Sequence, residues 1–209
     1  MQWITLFTIL ISLLTSCGPR YVDFFPYHDD GRLKPQVAIL PISNHDTSLG
    51  SDISMDVMRG LRQELMSQGN VFVFDEKDYP CAKESYFGSD LDFANVESCA
   101  QYVVAIEIFP HETKFYPTEI GCVRFESFPC HTRVTLSGRA RVIDLTCERP
   151  RIILQEKFSQ EFAVPIDIET VTLESCYNND PFLQSTFRLS YQRLAKQIAK
   201  KVEQVVTYE

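Results

Sequence analysis

The sequence predicts an α/β fold with one mixed sheet of about five strands, and three observations lead to this prediction. Short apolar runs bounded by proline, glycine and polar residues are typical of buried strands. An amphipathic helix separates the first two of these runs, and a longer amphipathic helix lies at the end of the chain. This order indicates a β-α-β unit followed by antiparallel strands, with the last helix packed on the sheet.

The first unit begins with the apolar run Val37-Ala38-Ile39-Leu40-Pro41, which proline ends and which we expect to be a buried strand. A helix follows, because four apolar residues recur at four-residue spacing: Ile53, Val57, Leu61 and Leu65. Gly69-Asn70 stops the helix, and Val71–Asp75 is the next strand. The two strands of such a unit are parallel.

The second half of the chain predicts three antiparallel strands. Residues 91–100 are expected to form a short helix, and Tyr102–Phe109 is apolar enough for a central strand. A loop is predicted over residues 110–131. Thr132–Leu145 then alternates strictly between apolar and polar residues, and Ile152–Phe162 is the third strand. The connections contain no obvious helix, which favours antiparallel pairing.

The last element is a long helix that begins at Asp180-Pro181, a capping residue followed by proline at the first helical position. Its apolar residues recur every three or four positions: Leu183, Phe187, Tyr191, Leu194, Ile198, Val202 and Val205. A face of this kind most often covers a sheet.

The amino-terminal run Trp3–Leu14 is apolar but only about twelve residues long, and a membrane-spanning helix needs about 20. It has the properties of a signal peptide. The end of this run and the three residues after it, Leu14-Thr15-Ser16-Cys17, resemble the lipobox of bacterial lipoproteins. The resemblance implies removal of residues 1–16 and lipidation of Cys17. The alternative is a buried helix that happens to end in cysteine.

The expected organisation is therefore a signal peptide at residues 1–16, a lipidated cysteine and short tether at residues 17–35, and a single α/β domain at residues 36–209. The tether keeps the domain within about 60 Å of its membrane. Because Gly18 would be the second residue of the mature chain, we expect the outer membrane, with the domain on its periplasmic face.

The run Val37–Pro41, followed by Asn44, Gly50, the amphipathic helix and Val71–Phe74, resembles the periplasmic α/β module of several envelope proteins. They are the curli-secretion lipoproteins, the lipoprotein activators of penicillin-binding proteins, and the amino-terminal domain of the Tol translocation protein. Tyr102–Ile108 and Ala140–Asp144 resemble later strands of the same module. The resemblance covers roughly residues 35–206 and implies an interaction module without catalytic residues.

The net charge of −8 argues against nucleic acid as a partner, while 44% hydrophobic and 23% charged residues are ordinary for a globular domain. An exported chain with six further cysteines suggests disulfides, and the sequence does not choose among 15 pairings. Buried free thiols are the alternative. The six are Cys81, Cys99, Cys122, Cys130, Cys147 and Cys176.

Two polar groups are candidates for contact with a partner. Asn44, His45 and Asp46 follow the first strand, where open α/β sheets usually bind ligands. Arg133, Arg139 and Arg141 share one face of a strand and suit an acidic partner or a lipid headgroup, or else form a solvated face.

Neither group indicates catalysis. Ser43, His45 and Asp46 include the residue types of a catalytic triad, but no G-x-S-x-G elbow is present. The cysteine and histidine spacing does not match a zinc site, and no glycine-rich phosphate-binding motif occurs. We therefore expect no metal, no cofactor and no enzymatic activity.

The predicted function is that of a lipid-anchored interaction or assembly module with an envelope protein as partner. Two alternatives stay open. One is a structural envelope protein linked through its cysteines, and the other is an exported enzyme that uses the loop around His45.

Overall fold

The computed structural model describes residues 25–46, 52–74, 87–88, 100–116, 131–164 and 181–208. Within these ranges the chain forms seven strands and two helices. In chain order they are β1 Gln36–Ile39, β2 Ser43–Asn44, α1 Asp52–Ser67, β3 Phe72–Val73, β4 Tyr102–Ile108, β5 Glu112–Tyr116, β6 His131–Asp144, β7 Arg151–Val164 and α2 Pro181–Thr207. The predicted helix at residues 91–100 lies outside the described residues, except for Ala100.

All seven strands belong to one mixed sheet, which confirms the predicted fold class. The β1 strand lies between β3 and β4 and is parallel to both, and β2 continues parallel to β4. The β6 strand pairs antiparallel with β4, β5 and β7. Two strands, β2 and β3, have only two residues each, so five longer strands form the body of the sheet.

One part of the sequence prediction was wrong, since the structure contains two strands in segments that were expected to be loops. The larger, β5, lies within the loop predicted for residues 110–131 and pairs with β6 from Glu112↔Thr135 to Tyr116↔His131. Its sequence, ETKFY, lacks apolar alternation. Pairing with the long β6 strand therefore decides its conformation, as tertiary context often does for strands.

Both helices pack on the sheet, as predicted, and the structure places them on the same face. The apolar face of α2 is buried at Phe187, Tyr191, Leu194, Ile198 and Val202, and the inward side chains of β6 are buried at Val134, Leu136, Ala140 and Val142. The opposite face of the sheet carries a smaller apolar cluster that includes Ala38, Val103, Ala105 and Ile143.

Residues 25–34, in the segment that was predicted to be a tether, form a tight hairpin. Tyr27 pairs with Leu33, the Lys34 nitrogen donates to the Pro26 oxygen at 2.9 Å, and Gly31 occupies the turn with a φ of 84°. The hairpin continues through Pro35 directly into β1. Neither helix in the described part of the chain is long and apolar enough to cross a membrane.

Candidate interaction site

Polar side chains meet where β2 and β4 end, at the carboxyl edge of the parallel strands. Ser43 pairs with Glu107 and Asn44 with Ile108, and the His45 nitrogen donates to the Ile108 oxygen at 2.9 Å. The Asn44 Oδ1 accepts from the Asp46 nitrogen at 2.9 Å, which closes a tight turn. The backbone of this segment is therefore held against the end of β4.

The His45 side chain belongs to a network of three charged or titratable groups. Its Nε2 lies 3.0 Å from Glu107 Oε1, and the other Glu107 oxygen accepts from Arg139 Nε at 3.0 Å and Nη2 at 2.6 Å. Glu107 and Arg139 are direct neighbours across β4 and β6. The side chain of His45 is 54% exposed while that of Glu107 is only 15% exposed, so the network presents an imidazole to solvent above a shielded ion pair.

Asp46 turns away from His45 and forms a buried pair with His111. Its Oδ2 accepts from the His111 backbone nitrogen at 3.0 Å and contacts the His111 ring Nδ1 at 2.6 Å. The ring packs edge-on to Phe187 of α2, with 6.5 Å between centroids. Asp46 is only 3% exposed. It therefore links the β2 end to the β5 entrance and does not complete a triad with Ser43 and His45.

The predicted arginine row does not lie on the surface as one group. Arg141 is 5% exposed, and its guanidinium donates to Gln155 Oε1 and to the backbone oxygens of Phe87 and Gly88. Burial, with the nearby charge of Arg139, lowers the pKa of Arg141, although Glu107 opposes this. Arg141 was predicted to be a surface contact for a partner, but it is an internal residue, because the segment that contains Phe87 covers it.

Arg139 and Arg133 are more accessible and differ in their partners. The Phe87 ring lies 4.3 Å from the guanidinium carbon of Arg139, so this side chain is stacked as well as paired with Glu107. Arg133 is exposed and forms a 3.6 Å ion pair with Glu161. Six positions along one strand separate the two arginines by about 20 Å.

The outward side chains of β6 and β7 form a polar surface, which we call the polar strand face. Cross-strand pairs place Arg139 beside Lys157 and Ser137 beside Ser159, and Arg133 and Glu161 extend the surface. An open groove of about 590 Å³ adjoins it, lined in part by Phe109, His111, Lys157 and Ser159. The Lys157 ammonium lies 6.0 Å from the Phe109 ring centroid. Such a surface suits a polar or acidic chain segment more than an apolar one.

The structure brings Asn44, His45 and Arg139 together and leaves Arg133 apart. Sequence reasoning missed Glu107 and His111. Glu107 could have been recognised in the sequence, because it is the one charged residue in an otherwise apolar strand. The structure places it opposite an arginine of the next strand. His111 also had a signal in the sequence, since it comes just after a strand expected to be central, which fits the carboxyl edge of the sheet.

Cys147 is exposed and has no disulfide partner. The other five candidate disulfide cysteines, and Cys17 itself, lie outside the described residues, so both the disulfides and the lipidation stay predictions. No group of three or more potential metal ligands occurs among the residues that the structure describes.

Comparisons with known proteins give the family of the chain and a solved structure of similar fold. The family described as "Family of unknown function (DUF7499)" matches residues 23–209. The hypothetical protein CT253 of Chlamydia trachomatis has a similar structure, with a TM-score of 0.56 and 18% identity over 84% of this chain and 99% of that one. No curated protein matches the chain.

Two weaker structural neighbours are lipoproteins. Lipoprotein GNA1162 of Neisseria meningitidis has a TM-score of 0.40 and 13% identity over 79% of this chain and 98% of that one. A minor lipoprotein of Acinetobacter baumannii has a TM-score of 0.34 and 9% identity over 81% and 92%. The resemblance to curli-secretion, penicillin-binding-protein activator and Tol proteins stays a prediction.

Proposed function

Because the chain belongs to the DUF7499 family, whose function is unknown, we propose a function from its own residues: a lipid-anchored envelope protein whose domain binds a protein partner. The lipid anchor is supported by the apolar run Trp3–Leu14, whose last residue begins the lipobox-like sequence Leu14-Thr15-Ser16-Cys17. Several acyl chains on one residue bind a membrane stably, at about 0.8 kcal/mol for each buried CH₂ group.

The interaction role is supported by the character of the polar strand face and the His45 end of the sheet. Arg139 is oriented by Glu107 on one side and by the Phe87 ring on the other, so it loses little side-chain freedom when a partner binds. His45, Lys157 and Arg133 add accessible positive or titratable groups on the same sheet. We propose an acidic segment of an envelope protein as the partner.

A non-enzymatic role is preferred because the polar groups of the candidate site are hydrogen-bonded to one another. The Asp46 carboxylate is hydrogen-bonded to His111, and the His45 ring is hydrogen-bonded to Glu107. A general base must lie within hydrogen-bond reach of the group whose proton it removes. Ser43 pairs with Glu107 in the strand register, and we assign it no nucleophilic role.

The anchor is tested with Cys17→Ala in the full-length chain. Incorporation of labelled palmitate and the change in mass that follows processing should both be lost, while Cys147→Ala should leave both unchanged. Label that persists in the Cys17→Ala protein would refute lipidation at this residue.

The interaction role is tested by crosslinking in intact envelopes followed by affinity capture. We expect one abundant protein to be recovered with the natural chain, and its yield to fall with Arg139→Glu and Lys157→Glu. Glu148→Arg, an exposed change of charge in the turn before β7, serves as the matched control. Equal recovery with all three variants would refute binding at the polar strand face, and conversion of a substrate that His45→Ala abolishes would favour the enzyme alternative.

A further inference from the structure

The hairpin of residues 25–34 carries apolar side chains that the fold leaves in solvent. Phe25 is 67% exposed and Tyr27 56% exposed, and Leu33, the cross-strand neighbour of Tyr27, is also exposed. We call residues 25–34 the aromatic hairpin. Its backbone is held by hydrogen bonds between its two arms, so the exposed rings project from a defined structure. Clustered exposed apolar groups commonly mark a contact surface.

The aromatic hairpin lies at the pole of the domain opposite the His45 site. It continues through Pro35, whose oxygen accepts from the Phe72 nitrogen at 2.9 Å, into β1. It is therefore next to the first residues of the parallel strands, whereas His45 follows their last residues. Nine positions separate Gln36 from His45, which is up to about 30 Å of extended chain.

Two further exposed apolar side chains, Ile152 and Tyr208, lie at the same end of the sheet as the aromatic hairpin. Ile152 pairs with Ile143 across β6 and β7. The next residue of β6, Asp144, is aligned through β4 with Val37 at the start of β1. Tyr208 is 86% exposed and follows the end of α2. Near that end, the Glu203 carboxylate accepts a hydrogen bond from Asn70, which lies just before β3. At the opposite pole, exposed Leu189 lies in the first third of α2 and exposed Met55 in the first turn of α1, near the contact between Arg188 and Asp56.

We infer that the pole formed by the aromatic hairpin rests on the lipid bilayer that anchors the chain. The inference depends on the proposed lipidation of Cys17. Phe25 is only eight positions after that cysteine, so it stays within about 29 Å of the lipidated residue. Tyrosine is enriched at the boundary between headgroups and acyl chains, where its apolar ring and polar hydroxyl are both accommodated, and phenylalanine is common on the apolar side of segments that lie in this boundary.

The charges of the hairpin point to apolar contact as the source of this interaction. Asp29 and Asp30 lie in the turn, and Asp30 is paired with Arg32 at 2.6 Å, so the segment offers no excess of positive charge for anionic lipid. Neutral bilayers should therefore be sufficient. The consequence is an orientation in which His45 and the carboxyl edge of the sheet point away from the membrane, toward a partner in the periplasm.

The mature chain would contain no tryptophan, because the single tryptophan of the sequence is Trp3. This permits a fluorescence test with two single-tryptophan variants of the full lipidated protein, Tyr27→Trp in the aromatic hairpin and Leu189→Trp at the opposite pole. Each is reconstituted into phosphatidylcholine vesicles with plain or bromine-labelled acyl chains. We expect a blue-shifted emission and a loss of fluorescence in brominated vesicles for Tyr27→Trp, and neither effect for Leu189→Trp.

Flotation of the vesicles separates this inference from the proposed function. A protein that floats with vesicles but shows no quenching of Tyr27→Trp, or equal quenching of both variants, overturns the orientation and leaves the lipid anchor standing. A blue shift without quenching by brominated lipid also overturns it, since a second copy or another protein then covers the hairpin. A protein that does not float overturns the lipid anchor and the orientation together.

Discussion

Asp46 Oδ2 contacts His111 twice, at 3.0 Å from the backbone nitrogen and at 2.6 Å from ring Nδ1, although the two residues are 65 positions apart in the sequence. The carboxylate is almost fully buried. It therefore provides a buried polar link between the segment after β2 and the segment before β5.

Asp46→Ala should lower the free energy of unfolding by about 1–3 kcal/mol, because the buried His111 groups lose their acceptor. The measurement is urea unfolding followed by circular dichroism. His45→Ala is the matched control in the neighbouring residue and should cost less than about 1 kcal/mol, since its contact with Glu107 is exposed. Equal losses for the two variants would contradict a structural role for the Asp46–His111 pair.

Gly138→Ala should destabilise the fold by about 1–3 kcal/mol or more, because a Cβ there would lie 2.8 Å from the backbone oxygen of Glu107. Backbone atoms of a central strand cannot move aside as a flexible side chain can. Gly60→Ala is the control within α1. Among the described residues its Cβ would meet Ala195 Cβ at 3.4 Å, an ordinary contact distance, and alanine is favoured over glycine in a helix by up to about 1 kcal/mol. Thermal unfolding of both variants tests the difference, and a Gly138→Ala midpoint at or above that of Gly60→Ala would refute it.

Arg139→Ala should cost more stability than Arg133→Ala. Removing Arg139 leaves the shielded carboxylate of Glu107 with a weaker partner, at about 1–3 kcal/mol, while the exposed pair of Arg133 with Glu161 should contribute less than about 1 kcal/mol. A double-mutant cycle with Glu107→Gln isolates the pair energy. A coupling energy near zero would mean that the stacking of Arg139 on Phe87, and not the ion pair, holds this side chain.

The pH dependence of stability should contain a contribution from Asp144. Burial alone would raise the pKa of Asp144, but hydrogen bonds from Thr146 and Arg151 outweigh it and hold the pKa below its ordinary value. A depressed carboxyl pKa stabilises the fold above the unfolded pKa of about 3.9, and this stability is lost as the pH falls through the lower folded value.

Asp144→Asn should therefore be less stable than the natural protein near neutral pH, and its stability should fall less steeply on acidification below about pH 4. Unfolding midpoints in urea across this range provide the test. Parallel curves for the two proteins would show that other carboxyl groups dominate the acid response.

Much of the fold was predictable because its signals are local. The apolar spacing of α1 and α2, the proline-bounded first strand and the strict alternation of β6 each predict an element from neighbouring residues. The buried side chains of these elements match the predicted faces. The short strand β5 was not predictable in this way, because its pairing with β6 is set by contacts with residues distant in sequence.

The candidate site shows the same division. The position of Asn44, His45 and Asp46 at the carboxyl edge followed from the β-α-β pattern, and the cluster with Arg139 needed the register of β4 against β6. The sequence presented Arg133, Arg139 and Arg141 as equivalent. Only the tertiary structure distinguished an exposed, a stacked and a buried member, because the alternation of a strand assigns a face but not what covers it.

Local sequence was therefore sufficient for the fold class, the helix faces and the expectation of a lipid anchor, since each depends on the order and spacing of nearby residues. The tertiary structure decided which histidine each carboxylate binds, which arginine is covered, and that the aromatic hairpin and His45 occupy opposite poles. Those outcomes depend on strand register and on contacts across many tens of residues, for which the linear pattern carries no signal.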